Sequence, residues 1–289
     1  SIWVPLILGH VIGGILLYFV GLIGARLRVN AMESIKSTFG NLGSRFFAAL
    51  NVMQLIAWVA VLNAQGTLAL MGLNIPASFA LTSIILAILV AIWVFIGLQR
   101  TSKITSIIMI ILTMLLVILS IKLLGIGGYH LMPIKNSASL TFWNIFEISI
   151  AMPISWLPVI SDYTKDVENP KKATALSALA YTVASLWMYF IGIEIAGLGA
   201  GNGIADAILL AGLGIPGIVI VVLSTVTTNF LAANCAGEST KAIVNKVNPK
   251  IAGVVVALLS AVLAASGIMD HYISFLYLIS SVFAPMASV

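Results

Sequence analysis

Long apolar runs separated by short polar segments dominate the sequence. A run of about 18 or more apolar residues is long enough to cross a membrane as an α-helix, and the chain contains nine runs of this kind. Their limits are 2–24, 45–71, 77–98, 104–125, 141–161, 174–197, 215–236, 251–268 and 271–288. The pattern predicts an all-α polytopic membrane protein with about nine transmembrane helices.

The fifth run differs from the others because a carboxylate and two prolines interrupt it. The stretch TFWNIFEISIAMPISWLPVISDYTK carries Glu147, Pro153, Trp156 and Pro158. Proline removes a backbone donor and clashes with the preceding turn. Irregular backbone at membrane depth is tolerated only where it is packed inside protein or lines a cavity. The stretch therefore predicts a broken helix at the centre of a transporter.

A short internal similarity is typical of an inverted repeat. The first run contains YFVG at 18–21, and the sixth run contains YFIG at 189–192. The two copies are five helices apart, so they would cross the membrane in opposite directions, as inverted repeats require.

Composition excludes the soluble classes. The 289 residues are 61% hydrophobic and 8% charged, with a mean hydropathy of +1.15, whereas a soluble domain has about 25% charged residues. The net charge of +5 is spread over short loops, which does not indicate nucleic-acid binding. The single cysteine, Cys235, excludes a disulfide framework. No metalloprotease motif, phosphate-binding loop or Ser-His-Asp set indicates an enzyme.

The basic residues predict how the chain is oriented. By the positive-inside rule, the loops that carry most of them are cytoplasmic. Lys122 and Lys135 fall toward the outer side, and both ends of the sequence lie within apolar runs. We expect a piece of a longer protein, with its N-terminal end outside and its C-terminal end in the cytoplasm. The twelve basic residues predicted for the cytoplasmic side are Arg26, Arg28, Lys36, Arg45, Arg100, Lys103, Lys165, Lys171, Lys172, Lys241, Lys246 and Lys250.

The seventh run contains polar residues that could bind a ligand. Ser224, Thr227 and Thr228 lie at i, i+3 and i+4, on one helix face. Their hydroxyls are suitable ligands for sodium, or they bond their own helix carbonyls. Asn229 and Asn234 carry amides that both donate and accept, which suits the edge of a pyrimidine ring. The alternative for these amides is hydrogen bonding between helices.

Other candidates lie in the second and fifth runs. The indole of Trp58 could stack on a flat ring, or it could serve packing, and Asn63 lies nearby in the same run. Glu147 is a carboxylate well inside a predicted span. Ionised carboxylates in hydrocarbon are costly, so we expect Glu147 to face a cavity or a partner. It would bind a polar substrate or a coupling proton, or it would belong to a helix-packing network.

These residues occur in stretches that resemble a known family. The stretches are GHVIGGILLYFVGLIGARLRVNAMES with STFG following, NVMQLIAWVAVLNAQG, SWLPVISDYTKD, TTNFLAANCAG and FLYLISSVFAPMASV. They resemble the nucleobase–cation symporters, which include cytosine, allantoin and hydantoin permeases, and within these the hydroxymethylpyrimidine transporters called CytX. The resemblance implies a single transmembrane transporter domain over 1–289, on a leucine-transporter-type scaffold with five-helix inverted repeats. The chain would run from the second to the tenth of twelve helices.

The resemblance also implies roles for residues of the second and seventh runs. Trp58 matches the position where an aromatic residue stacks on the substrate ring. Asn229 and Asn234 match the amides that bond the heterocycle. The hydroxyls of Thr227 and Thr228 match the sodium site, and Ser224 lies where a backbone carbonyl contributes to that site.

In the broken helix, the family's substrate contacts fall near 152–156, which includes Ser155 and Trp156. Glu147 departs from the family pattern. It would pair with an exocyclic amine, which favours an aminopyrimidine over a uracil-like ring.

Together these features predict a symporter that imports a pyrimidine-type ring, hydroxymethylpyrimidine or a nucleobase such as cytosine. Sodium or protons would drive it, and no other cofactor is expected. The partners would be a small heterocycle and the lipid bilayer, with no nucleic acid and no obligate protein partner. The alternatives are an amino-acid or other small-metabolite permease on the same scaffold, and a membrane-embedded enzyme or receptor.

Overall fold

A computed structural model of the protein describes residues 2–73, 76–125, 141–197, 205, 208–209 and 211–287. Every regular element in these ranges is helical, which confirms the predicted all-α class. A 3₁₀ turn at Ile268–His271 precedes the last helix. The helices are α1 (Trp3–Leu27), α2 (Ala31–Ser34), α3 (Lys36–Gly72), α4 (Phe79–Ile96), α5 (Leu98–Gly125), α6 (Phe142–Ile154), α7 (Ile160–Thr164), α8 (Pro170–Gly197), α9 (Gly214–Ile243), α10 (Pro249–Ala265) and α11 (Tyr272–Ala287).

Six helices within the described ranges are long and apolar enough to cross a membrane. The other three predicted runs form shorter helices, because prolines break the fifth run and a turn separates the last two. At that turn Gly267 has a φ of 83°, which favours glycine. The six spans are Trp3–Leu27, Lys36–Gly72, Phe79–Ile96, Lys103–Gly125, Pro170–Ala196 and Gly214–Ile243.

The second span begins earlier than its apolar run. The sequence predicts a start at residue 45, whereas α3 starts at Lys36. Gly40 interrupts this helix with a φ of 66°, a left-handed conformation that is easily reached without a side chain. The added residues are too polar for a hydropathy criterion to include them. Those before Gly40 form a separate short helical piece, and those after it extend the long helix.

The helices belong to two compact units. The first unit comprises Ser1–Asn51, Lys135–Phe190 and His271–Val289. It contains the broken helix together with α1, α2 and α11. The second unit comprises Val52–Ile134 and Ile191–Asp270, and it contains α4, α5, α9 and α10. Helices α3 and α8 each begin in the first unit and end in the second.

In the first unit, glycines on α1 let its backbone approach the broken helix closely. A Cβ atom added at Gly9 would lie 2.6 Å from Ser149 Oγ, and one at Gly13 would lie 2.2 Å from Pro153 Cγ. Small residues allow this kind of close packing between membrane helices. The glycines of α1 therefore form the surface against which the broken helix packs.

In the second unit, α9 and α10 approach each other in the same way. A Cβ atom added at Gly237 would lie 2.1 Å from the backbone oxygen of Pro249. One added at Gly253 would lie 2.8 Å from the backbone oxygen of Ala233 and 2.9 Å from Val94 Cγ1. The glycines therefore fix the spacing of α9, the helix that carries half of the candidate ligand-binding residues.

The predicted orientation across the membrane remains a prediction. Lys135, one of the two basic residues expected on the outer side, lies outside the described residues.

Candidate functional site

The fifth apolar run forms two helices rather than one. The first ends at Ile154 and the second begins at Ile160. Between them, Trp156 N donates to Pro153 O and Leu157 N donates to Ile154 O, both at 3.1 Å. These bonds to the third residue back replace the regular α-helical bonds to the fourth. The broken helix predicted from the two prolines is confirmed.

The break releases the carbonyl of Met152 from its helical donor, because the Trp156 N–H bonds to a nearer carbonyl. Two side chains replace that donor: Ser155 Oγ donates to Met152 O at 2.6 Å and Tyr181 Oη donates at 3.0 Å. The indole of Trp156 is half-buried, with its ring centroid 5.8 Å from Tyr181 and 6.2 Å from Tyr163. Ser155 and Trp156, predicted to contact substrate, thus lie at the break.

Glu147 lies near the middle of α6, and its side chain is exposed in the described part of the chain. Its predicted role as a substrate or proton ligand stays a prediction.

Asn229 is buried without a hydrogen-bond partner for its amide in the described residues. Its side chain is 1% exposed, and neither Oδ1 nor Nδ2 has a hydrogen-bond partner among the described residues. A buried polar group without a partner costs about 1–3 kcal/mol, so native proteins pair nearly all of them with protein, water or ligand. The amide therefore has full capacity for a polar ligand.

Asn63 is also fully buried, but its amide is saturated. Nδ2 donates to Ser83 O at 3.2 Å and to Ser260 Oγ at 2.9 Å. Oδ1 accepts from Ser83 Oγ at 3.1 Å and from Thr67 Oγ1 at 3.3 Å. An amide makes four hydrogen bonds at most. The geometry therefore favours a link between α3, α4 and α10 over the substrate contact predicted for Asn63.

Asn234 lies on the same helix as Asn229 but on a different face. Five residues correspond to about 140° around an α-helix and about 7.5 Å along its axis. The side chain of Asn234 is half-buried. The structure therefore does not place the two amides side by side, as a joint contact to one ring edge would require.

Two of the three hydroxyls predicted to bind sodium donate to carbonyls of their own helix. Thr227 Oγ1 donates to Leu223 O at 2.7 Å, and Ser224 Oγ donates to Val221 O at 3.1 Å. A hydroxyl that donates its proton keeps oxygen lone pairs for a cation. Thr227 is buried and Thr228 is half-buried. No cluster of His, Cys, Asp or Glu in the described residues could hold a metal ion.

Trp58 lies on α3 in the second unit, half-buried and one turn after the buried Gln54. Farther along the helix, a Cβ atom added at Gly66 would lie 2.4 Å from Thr225 Oγ1. The helices α3 and α9 therefore approach each other closely at this point. Thr225 lies one turn before Asn229 on the same face of α9, which places the unpartnered amide on the face that meets α3.

The candidates are divided between the two units. Glu147, Ser155 and Trp156 belong to the first. The second contains Trp58, Asn63, Ser224, Thr227, Thr228, Asn229 and Asn234.

Sequence reasoning missed Tyr181, whose hydroxyl bonds to the carbonyl that the break releases. The signal that could have found it is the row Tyr181, Ser185 and Tyr189, polar groups at intervals of four residues in an otherwise apolar helix. Such spacing puts all three on one face.

Comparison with known proteins identifies a family and a fold. A family model described as permease for cytosine/purines, uracil, thiamine, allantoin matches residues 1–289. Among solved structures, the chain is similar to Mhp1, a nucleobase-cation-symport-1 family transporter, in a closed conformation with bromovinylhydantoin bound. The TM-score is 0.82 at 21% identity, and the match covers 99% of this chain and 69% of that one. No curated protein matches the chain.

The likeness to Mhp1 confirms the predicted leucine-transporter-type fold. The family match covers the whole length of the sequence, including all the stretches on which the resemblance was based.

Proposed function

The chain belongs to the family of permeases for cytosine/purines, uracil, thiamine and allantoin, and on that premise we propose that it imports a pyrimidine-type heterocycle by cation symport. It is a secondary transporter of the membrane and not an enzyme. The substrate that we propose is hydroxymethylpyrimidine or a nucleobase such as cytosine. Sodium is the proposed coupling ion, with protons as the alternative.

The observation that carries the proposal is the buried amide of Asn229, whose donor and acceptor both lack partners in the described residues. A pyrimidine ring presents donors and acceptors side by side along its edge, and a carboxamide matches such a pair with its oxygen and its nitrogen. An aliphatic side chain offers neither amide atom a partner, and the ammonium and carboxylate groups of an amino acid such as leucine are charged groups that need ionic partners. A neutral heterocycle therefore matches this uncharged amide better.

Aromatic side chains support the same substrate class. Trp58 and Trp156 are both half-buried, so part of each indole is accessible for stacking on a flat ring. We propose that Trp58 stacks on the heterocycle and that Ser155 and Trp156 contribute contacts from the broken helix. A contribution of Glu147 or Asn234 stays a prediction.

The substrate class can be tested by equilibrium binding of radiolabelled hydroxymethylpyrimidine to the full-length protein. Cytosine and leucine serve as competitors. We expect cytosine to compete and leucine to have no effect, because only cytosine offers a ring edge to the amide. Competition by leucine would support an amino-acid permease. Absence of binding by any heterocycle to folded protein would exclude the proposed substrate class.

For the coupling ion, we propose that Thr227 and Thr228 supply hydroxyl oxygens to sodium. Replacing Thr227 with Val removes one oxygen ligand while keeping the side-chain shape. We expect sodium to strengthen heterocycle binding in the wild type and to have at least about tenfold less effect in Thr227→Val, which corresponds to about 1.4 kcal/mol of lost coupling. Titration of heterocycle binding against sodium measures this effect.

Thr240→Val is the matched control for that experiment. Thr240 Oγ1 donates to Ala236 O at 2.7 Å, the same intrahelical bond that Thr227 makes, near the end of the same helix. The sodium dependence of this variant should equal that of the wild type. Equal sodium responses in all three proteins would exclude Thr227 from the ion site.

A further inference from the structure

A row of hydroxyl groups on α8 connects this helix to α6 and α1 within the first unit. Tyr181 Oη lies 3.0 Å from Met152 O, and Tyr189 Oη lies 3.3 Å from Ile148 O. Between them in the sequence, Ser185 Oγ lies 2.8 Å from His10 Nε2. These residues recur every fourth position, so they form one polar stripe on α8.

The two tyrosines contact different kinds of carbonyl. Ile148 lies in the regular part of α6, where a carbonyl also accepts the ordinary helical bond. Met152 lies where the helix breaks, and its usual donor, Trp156 N, bonds elsewhere. The hydroxyls of Ser155 and Tyr181 therefore replace a bond that the backbone has lost, whereas the Tyr189 hydroxyl adds to one already made. Ser155 belongs to the same segment as Met152, so of these two donors Tyr181 is the one that ties the break to another helix.

The phenol ring of Tyr181 also contacts the substrate candidate at the break. Its centroid lies 5.8 Å from that of the Trp156 indole, with an interplanar angle of 56°. A tilted aromatic pair at this separation is attractive beyond the burial of its area. One residue of α8 thus contacts both a carbonyl in the last turn of α6 and a side chain just after its end.

His10 extends the polar row to α1. Nδ1 lies 2.6 Å from Ser149 Oγ, and that hydroxyl donates to Leu6 O at 2.5 Å. The two ring nitrogens of His10 therefore contact the hydroxyls of Ser149 and Ser185. The fully buried ring thus links α1, α6 and α8. This link contacts the regular part of α6, whereas the contact from α8 to the break is made by Tyr181.

We propose that Tyr181 is a positioning residue for substrate binding. Its hydroxyl and ring hold the break between α6 and α7 in the conformation that presents Trp156 to the heterocycle. This inference rests on the proposed function, because it assumes that Trp156 contacts the substrate. It assigns the positioning to α8, a helix that contains none of the predicted substrate ligands.

The test measures dissociation constants for hydroxymethylpyrimidine with the full-length protein. Tyr181→Phe removes the hydroxyl and keeps the ring, and we expect it to raise the dissociation constant about tenfold. Tyr189→Phe is the matched control, since the same group is removed from the same face of the same helix. We expect this control to change the constant less than about twofold, because the Ile148 carbonyl keeps its helical donor.

A double-mutant cycle with Trp156→Phe distinguishes positioning from a general loss of structure. If Tyr181 acts through Trp156, the Tyr181→Phe change has a smaller effect in the Trp156→Phe background than in the wild type. Equal effects in both backgrounds, or equal effects of the two tyrosine changes, would overturn the inference. Unfolding of Tyr181→Phe would also overturn it, because the hydroxyl would then serve the fold. Failure of the wild type to bind any heterocycle would instead exclude the proposed function.

Discussion

Replacing Asn229 with Ala is expected to weaken heterocycle binding about 10- to 100-fold without lowering the stability of the protein. The expected loss reflects one or two buried hydrogen bonds of about 1–3 kcal/mol in total. Stability should stay equal or rise, because the change removes two buried polar atoms that have no partner in the described structure, and because Ala has a high helix propensity. Equilibrium binding and thermal unfolding in detergent measure the two effects.

Asn63→Ala is the matched control, since it changes the same residue type at an equally buried position of the same unit. For this variant we expect lower stability and little change in affinity, the opposite of the result for Asn229→Ala. The protein should lose about 2 kcal/mol of stability, because the hydroxyls of Ser83, Ser260 and Thr67 lose their bonds to the amide. Affinity should change little in the folded fraction. Unchanged binding by Asn229→Ala would contradict the assignment of that amide to the substrate.

Replacing Gly237 with Ala is expected to be the most damaging single change to the second unit. The added Cβ would lie 2.1 Å from the backbone oxygen of Pro249 and 2.9 Å from its carbonyl carbon. A backbone group cannot rotate away as a side chain can, so α9 and α10 would have to separate. Overpacking of this kind costs about 1–3 kcal/mol or more. We expect a markedly lower thermal unfolding temperature and reduced binding, since α9 carries Asn229.

Gly192→Ala is the control for this prediction. Gly192 also lies within a long helix, but an added Cβ there would meet nothing within 4 Å. The change should leave stability equal or raise it by about 1 kcal/mol through helix propensity. Equal unfolding temperatures for Gly237→Ala and Gly192→Ala would show that the two helices are not as closely packed as the structure indicates.

Features of the fold that depend on local sequence could be predicted well. Apolar runs gave the long helices because segment length and hydropathy are properties of the chain itself. Pro153 and Pro158 predicted the broken helix because proline acts on its own backbone. The early start of α3 at Lys36 could not be predicted in the same way, since polar residues form helices without a hydropathy signal.

The different surroundings of the candidate residues could not be predicted from the sequence, because they depend on contacts between helices. Asn63 and Asn229 are both asparagines in apolar helices, and nothing local distinguishes them. They differ because hydroxyls of other helices, such as those of Ser83 and Ser260, bond to the Asn63 amide. No such hydroxyl in the described residues bonds to the Asn229 amide. The exposure of the Glu147 side chain also depends on how the helices pack, which the local sequence does not show. By contrast, the separation of Asn229 and Asn234 around α9 follows from helix geometry and could have been predicted.

The most direct test of the account is uptake of radiolabelled hydroxymethylpyrimidine by the full-length protein in proteoliposomes, under an imposed sodium or proton gradient. We expect accumulation that is driven by the inward sodium gradient, inhibited by cytosine and strongly reduced by Asn229→Ala but, for the same amount of folded protein, not by the Asn63→Ala control. Accumulation with a proton gradient alone would support the proposed substrate and would identify the proton, rather than sodium, as the coupling ion. Absence of hydroxymethylpyrimidine or cytosine uptake under either gradient, with protein that is folded in the membrane, would contradict the proposed function.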